Sequence, residues 1–120
     1  RIIQRLKKIQ PRAKFFLMTM PKENGRRIQE KSLAHREILY KLADYFDNTY
    51  VLDFYKYGPV FDDKFRKKFY MGGHLNPMGY QLKAKMIASY IDYYIRKDPK
   101  AFRQVGFIGK PQYSETLHKE

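Results

Sequence analysis

The sequence predicts an α/β fold of three layers, α/β/α, with parallel strands sandwiched between helices. Three observations carry this. Runs of helical period alternate with short apolar runs, the joints between them hold turn and cap residues, and the two apolar runs lack the polar alternation of half-solvated strands. About two strands and three helices are legible in the 120 residues.

In chain order, Ile2, Ile3, Leu6 and Ile9 recur at helical spacing among cations, and Pro11 closes the run, so residues 1–10 read as an amphipathic helix. Nothing before Ile2 resembles an N-cap and Arg1 is not a methionine, which predicts that the chain begins inside an element of a longer protein. Phe15 to Met20 is an apolar run ended by Pro21, followed by the turn pair Asn24-Gly25, and reads as a buried strand leading into a surface loop. Between Ile28 and Phe46, the residues Ser32, His35, Leu39, Leu42 and Phe46 share one helical stripe, with Ala43 beside it. Thr49 to Phe54 reads as a second strand. Strand, helix and strand with short joints make a βαβ unit with parallel strands.

Gly58-Pro59 ends the second strand region, and Val60 to Phe69 reads as a charged loop. Asn76-Pro77 then offers an N-cap with proline at the first helical position. The last helix carries a broad apolar face from Leu82 to Ile95 and stops at Asp98-Pro99. Phe102, Val105, Phe107 and Ile108 are expected to fold a tail segment back, with 111–120 frayed. Two parallel strands do not make a stable sheet alone, so further strands are expected before Arg1, and the edge left without them is expected to drive self-association.

The length fits one domain, read as 1–120, and 43% apolar with 17% aromatic residues is enough for a core. The formal charge of +13 is uneven: residues 1–22 hold seven cations and no acid, with 18 basic and 12 acidic residues after them. Cations on the outer face of an amphipathic helix are ordinary solvated surface, so nucleic acid is the less favoured partner. A small basic binding module, contacting phosphates through the first helix and Lys64-Phe65-Arg66-Lys67-Lys68, is the rival class. No run approaches the roughly 20 apolar residues of a membrane span. The absence of cysteine excludes disulfides and a thiol nucleophile, leaving the compartment open between cytoplasmic and exported.

The chemistry concentrates in Gly72-Gly73-His74-Leu75-Asn76-Pro77-Met78-Gly79-Tyr80. A histidine on a loop past the carboxyl end of a strand sits where open α/β sheets place functional groups. The glycines permit close backbone approaches, and the Asn76-Pro77 helix start fixes the chain just after His74, giving the imidazole a stiff mount. The run resembles the C-terminal histidine block of SGNH (GDSL-type) hydrolases, in which a histidine precedes Asn or Pro and a Gly-Tyr opens the last helix. Gly72, Gly73, His74, Asn76, Gly79 and Tyr80 carry the match, and the element order resembles the second half of that family's domain.

The resemblance implies a flavodoxin-like parallel sheet and a serine esterase or lipase-like acyl hydrolase acting on a small-molecule or carbohydrate ester, with no cofactor. It makes His74 the general base, which takes the serine proton and returns it to the leaving alcohol. It also places the serine and the oxyanion asparagine in an N-terminal half that this chain lacks, since neither a Gly-Asp-Ser nor a Gly-x-Asn-Asp run occurs. This C-terminal portion is therefore expected to be inactive by itself. Ser32, Ser89 and Ser114 are not read as substitutes for the missing nucleophile.

One departure concerns the acid that commonly lies three residues before the histidine, where this chain has Met71. A backbone carbonyl, Asp62 or Asp63 remain as candidates to orient His74. A non-catalytic relative of the fold is the reading that Met71 leaves open. His35 and His118 read as structural and unordered, and Asp53, at the end of the second strand, as a structural acid. The aromatics from Tyr55 to Tyr70 suit either an acyl or sugar pocket or simple packing of a long loop. No histidine pair shares a face for a metal, and Gly72-Gly73 lacks phosphate-loop spacing.

Overall fold

A computed structural model describes residues 1–103. The chain divides into two compact units, Arg1–Leu82 and Lys83–Glu120. The architecture is α/β, mostly helical, with one small parallel sheet.

In the first unit, helix α1 (Ile2–Ile9) leads to strand β1 (Phe15–Met18), helix α2 (Arg26–Tyr45) and strand β2 (Thr49–Leu52). β1 and β2 pair in parallel, with Phe15 opposite Thr49 and Met18 opposite Leu52. The ladder continues at both ends: the Phe15 amide donates to the Asn48 carbonyl at 2.8 Å and the Thr19 amide to that of Leu52 at 3.0 Å. Asn48 makes the turn from α2 into β2 at φ 58°, a left-handed conformation that asparagine tolerates better than most residues. Phe16 stacks on its cross-strand partner Tyr50 with ring centroids 5.3 Å apart. α2 packs against β2, burying Leu39 and Ser32.

The two strands differ in cover. β2 is buried at Thr49, Val51 and Leu52, as the apolar pattern predicts for a central strand. β1 is only half-buried and its last residue, Met18, is exposed. α1 buries no residue, and its apolar stripe stands in solvent, with Ile2 76% and Ile9 72% exposed.

Three elements depart from the sequence expectation. Phe54 does not continue β2: Asp53 Oδ1 accepts from the Lys56 amide at 3.0 Å, capping the short helix α3 (Phe54–Tyr57). The stretch read as a charged loop contains helix α4 (Asp63–Phe69), capped by Asp62, whose Oδ1 accepts from the Phe65 amide at 2.8 Å. Asp63 in its first turn and Arg66, Lys67 and Lys68 in its last suit the helix dipole. Phe61, Phe65 and Phe69 are four apart: Phe61 stacks on Phe65 at 4.1 Å, and Phe69 lies tilted against Phe65 at 4.7 Å. Finally, β3 (Tyr70–Met71) and β4 (His74–Leu75) form a hairpin where a plain loop was expected.

Helix α5 (Pro77–Lys97) starts and ends where its cap and stop residues predict. In the second unit Ile95 is buried, Asp92 and Arg96 pair one turn apart at 2.7 Å, and Asp98 caps the short 3-10 helix Pro99–Phe102, whose last residue is buried. Val105, Phe107, Ile108, Ser114, His118 and the expected frayed tail at 111–120 lie outside the described residues.

Candidate functional site

The segment bearing His74 lies on the carboxyl side of the β1–β2 pair, and backbone pairing shows how. Beyond the strands, the Phe61 amide donates to the Lys22 carbonyl at 2.8 Å and Glu23 bridges Phe61 in parallel, so the chains leaving β1 and β2 stay side by side. Arg66 of α4 reaches back to Glu23 at 3.0 Å. α4 is thereby tied to the post-β1 segment, and the β3–β4 hairpin follows α4 directly.

The hairpin closes on Gly72 and Gly73. Met71 pairs with His74 and Tyr70 with Leu75, leaving a two-residue loop. Gly72 has φ +62°, which L side chains adopt rarely, so glycine at the first loop position meets a conformational requirement. A Cβ on either loop glycine would meet nothing within 4 Å, so it is backbone freedom and not space that favours glycine at position 72.

Asn76 clamps the hairpin to both neighbouring helices. Its amide donates to the Phe69 carbonyl at 2.7 Å and its Nδ2 to the Lys68 carbonyl at 2.9 Å, satisfying the end of α4. Its Oδ1 accepts from the Gly79 amide at 2.8 Å, the N-cap bond of α5. Gly79 is buried against this junction: a Cβ there would lie 2.5 Å from the Phe69 oxygen and 2.9 Å from Leu75 Cδ2. Asn76 caps α5 as the Asn76-Pro77 pair predicts, and Gly79 is the contact that lets α5 approach so closely.

On this mount His74 is exposed, and no described residue hydrogen-bonds or ion-pairs with its ring. An exposed imidazole with an open ring nitrogen is able to accept a proton from a hydroxyl brought to it. The candidates to orient it are engaged elsewhere or solvated. Asp62 caps α4, and Asp63 is an exposed first-turn acid of that helix. Met71 is the direct cross-strand neighbour of His74 on the same hairpin face, and its thioether is exposed.

A polar network at the end of β2 is the part sequence reasoning missed. Asp53, 2% exposed, accepts from Arg36 Nε at 2.7 Å and the Tyr40 hydroxyl at 2.8 Å, both through Oδ2, besides capping α3. The hydrogen bond to Asp53 holds the Arg36 guanidinium above the ordinary arginine range, against the opposing pull of desolvation. The available signal was Arg36 and Tyr40, four apart on α2, facing an acid at a strand end. Thr19, also buried, accepts from the Tyr55 amide at 3.0 Å, so both strand ends are closed by structural bonds. Ser32 is 1% exposed, which seals it from any substrate; its Oγ and the half-buried His35 Nδ1 have no hydrogen-bond partner among the described residues.

Among the described residues no three histidine, cysteine or acidic side chains cluster to hold a metal ion, and no helix is long and apolar enough to cross a membrane. The chain matches no family model, no curated protein and no solved structure.

Proposed function

We propose that this chain carries the histidine-bearing part of a serine ester hydrolase of the SGNH type, with His74 as its general base. The observation that supports this best is an exposed imidazole on a two-residue hairpin, clamped by Asn76 between α4 and α5 on the carboxyl side of a parallel strand pair. In this reading the three-layer sheet, the serine and the oxyanion donors are completed by sequence other than these 120 residues. The serine oxygen attacks the acyl carbon while His74 takes its proton. The tetrahedral intermediate collapses as His74 returns that proton to the leaving alcohol, and water then repeats the sequence on the acyl-enzyme.

Hydrolysis of 4-nitrophenyl acetate by the whole protein that contains this chain tests the proposal. His74→Ala is expected to lower kcat by about 10²–10⁴, the worth of a positioned general base. Turnover unchanged by the substitution contradicts it. The isolated 120-residue chain is expected to show no serine-dependent turnover.

A further inference from the structure

Resting on the hydrolase reading, we infer that the substrate is an anionic ester, of the kind found on an acylated uronate-bearing saccharide, held beside His74 by lysines gathered at the carboxyl end of the β1–β2 pair. Lys22 follows β1, Lys56 lies in α3, and Lys64, Lys67 and Lys68 lie on α4. The Phe61 amide donates to the Lys22 carbonyl and the Asn76 side-chain amide to the Lys68 carbonyl, which ties the segment after β1 and helix α4 to the mount of His74, while α3 follows β2 directly.

The acids of the same region are already committed. Glu23 pairs with Arg66, Asp53 with Arg36 and Tyr40, and Asp62 caps α4, which leaves Asp63 as the one acid of this region that bonds to no described residue. None of the five lysines has an ion pair among the described residues. The helix dipole accounts for Lys67 and Lys68 in the last turn of α4 and for Lys56 in that of α3, but not for Lys22 or Lys64. Lysines also sit over tyrosine rings, Lys22 over Tyr55 at 6.0 Å and Lys56 over Tyr57 at 4.9 Å, and Tyr57 is 63% exposed. Such rings offer flat apolar faces to a sugar, while the ammonium groups meet its carboxylates. Excess charge of one sign around a site raises the local concentration and arrival rate of an oppositely charged substrate, by about 10–10³.

The test uses the whole protein that contains this chain, labelled with ¹⁵N and titrated with trigalacturonate and with uncharged maltotriose. Saturable amide shifts across α3, α4 and the hairpin with trigalacturonate alone are expected, weakening as salt is added. The double variant Lys64→Glu, Lys67→Glu is expected to bind about tenfold more weakly while keeping the wild-type spectrum elsewhere. No shifts, equal response to both sugars, or tighter binding of a single-stranded oligonucleotide at the same residues overturns the inference. Acetate ester turnover by the whole protein reports separately on the hydrolase reading. Turnover without uronate binding overturns the anionic substrate alone, whereas uronate binding without turnover overturns the hydrolase and supports the anion site.

Discussion

Replacing Gly79 by alanine adds one methyl group at the junction that mounts His74. Inside a helix this change ordinarily stabilises, by about 0.5–1 kcal/mol, through lost freedom of the unfolded chain. Here the new Cβ would sit 2.5 Å from the Phe69 oxygen, 2.9 Å from Leu75 Cδ2 and 3.2 Å from Leu75 Cβ. The oxygen is backbone, cannot rotate away, and accepts from the Asn76 amide at 2.7 Å. Making room costs the overpacking strain of a filled core, about 1–3 kcal/mol, and weakens a hydrogen bond worth about 1 kcal/mol. Set against the helix gain, Gly79→Ala is expected to destabilise by about 1–3 kcal/mol. Urea unfolding followed by circular dichroism reads this as a lower midpoint at unchanged slope. Gly73→Ala is the control, since its Cβ meets nothing within 4 Å. A Gly79→Ala variant as stable as wild type would refute the close approach of α5 to the hairpin.

Other perturbations reach different parts of the account. Asp53→Ala removes the acceptor of Arg36, Tyr40 and the Lys56 amide, and is expected to cost about 3 kcal/mol in urea unfolding, with Tyr40→Phe costing about 1 kcal/mol. Because the Arg36 pKa is raised, its share of this stability is fully present below the ordinary arginine range and lost only as pH rises through the raised value; a midpoint difference between wild type and Arg36→Met that collapses between pH 6 and 9 contradicts this. Asn76→Ala forfeits the N-cap of α5 and the bond to Lys68, and is expected to lower stability by about 1–2 kcal/mol, read as a lower thermal midpoint. Met71→Asp places a carboxylate beside His74, about 5 Å away between Cβ atoms by cross-strand geometry. In the whole protein it is expected to raise ester turnover by about tenfold or more, below the ceiling of about 10⁴ for an orienting acid. A fall in kcat with folding intact would show that Met71 has a role of its own.

The long elements were legible because their signals are redundant. α2 and α5 combine helical period with a Gly, Asn-Pro or Asp-Pro boundary, and β1 and β2 combine apolar runs with tight joints. α4 was hidden because four cations in five residues resemble a solvated loop, although Phe61, Phe65 and Phe69 at spacing four, with Asp62 as a cap, carried its period. The β3–β4 hairpin has two residues per strand, too few for any alternation to register. The N-cap of α5 was readable from Asn76-Pro77, but the bonds of Asn76 to the end of α4 were not, because α4 itself read as a loop. What stands beside His74 was not readable either, because the adjacency of Met71 comes from hairpin register, and the commitment of Asp62 to a helix cap depends on α4 existing. The cover expected over both strands fails at β1, since strand pattern reports what a surface is suited to bury and not which element buries it.

The central claim, that His74 activates a serine, is tested most directly by fluorophosphonate labelling of the whole protein containing this chain, with the labelled peptide located by mass spectrometry. The account predicts a label on a serine outside residues 1–120 whose rate of formation falls by about 10²-fold or more in His74→Ala. Labelling at equal rates in both proteins, or none in either, would contradict it.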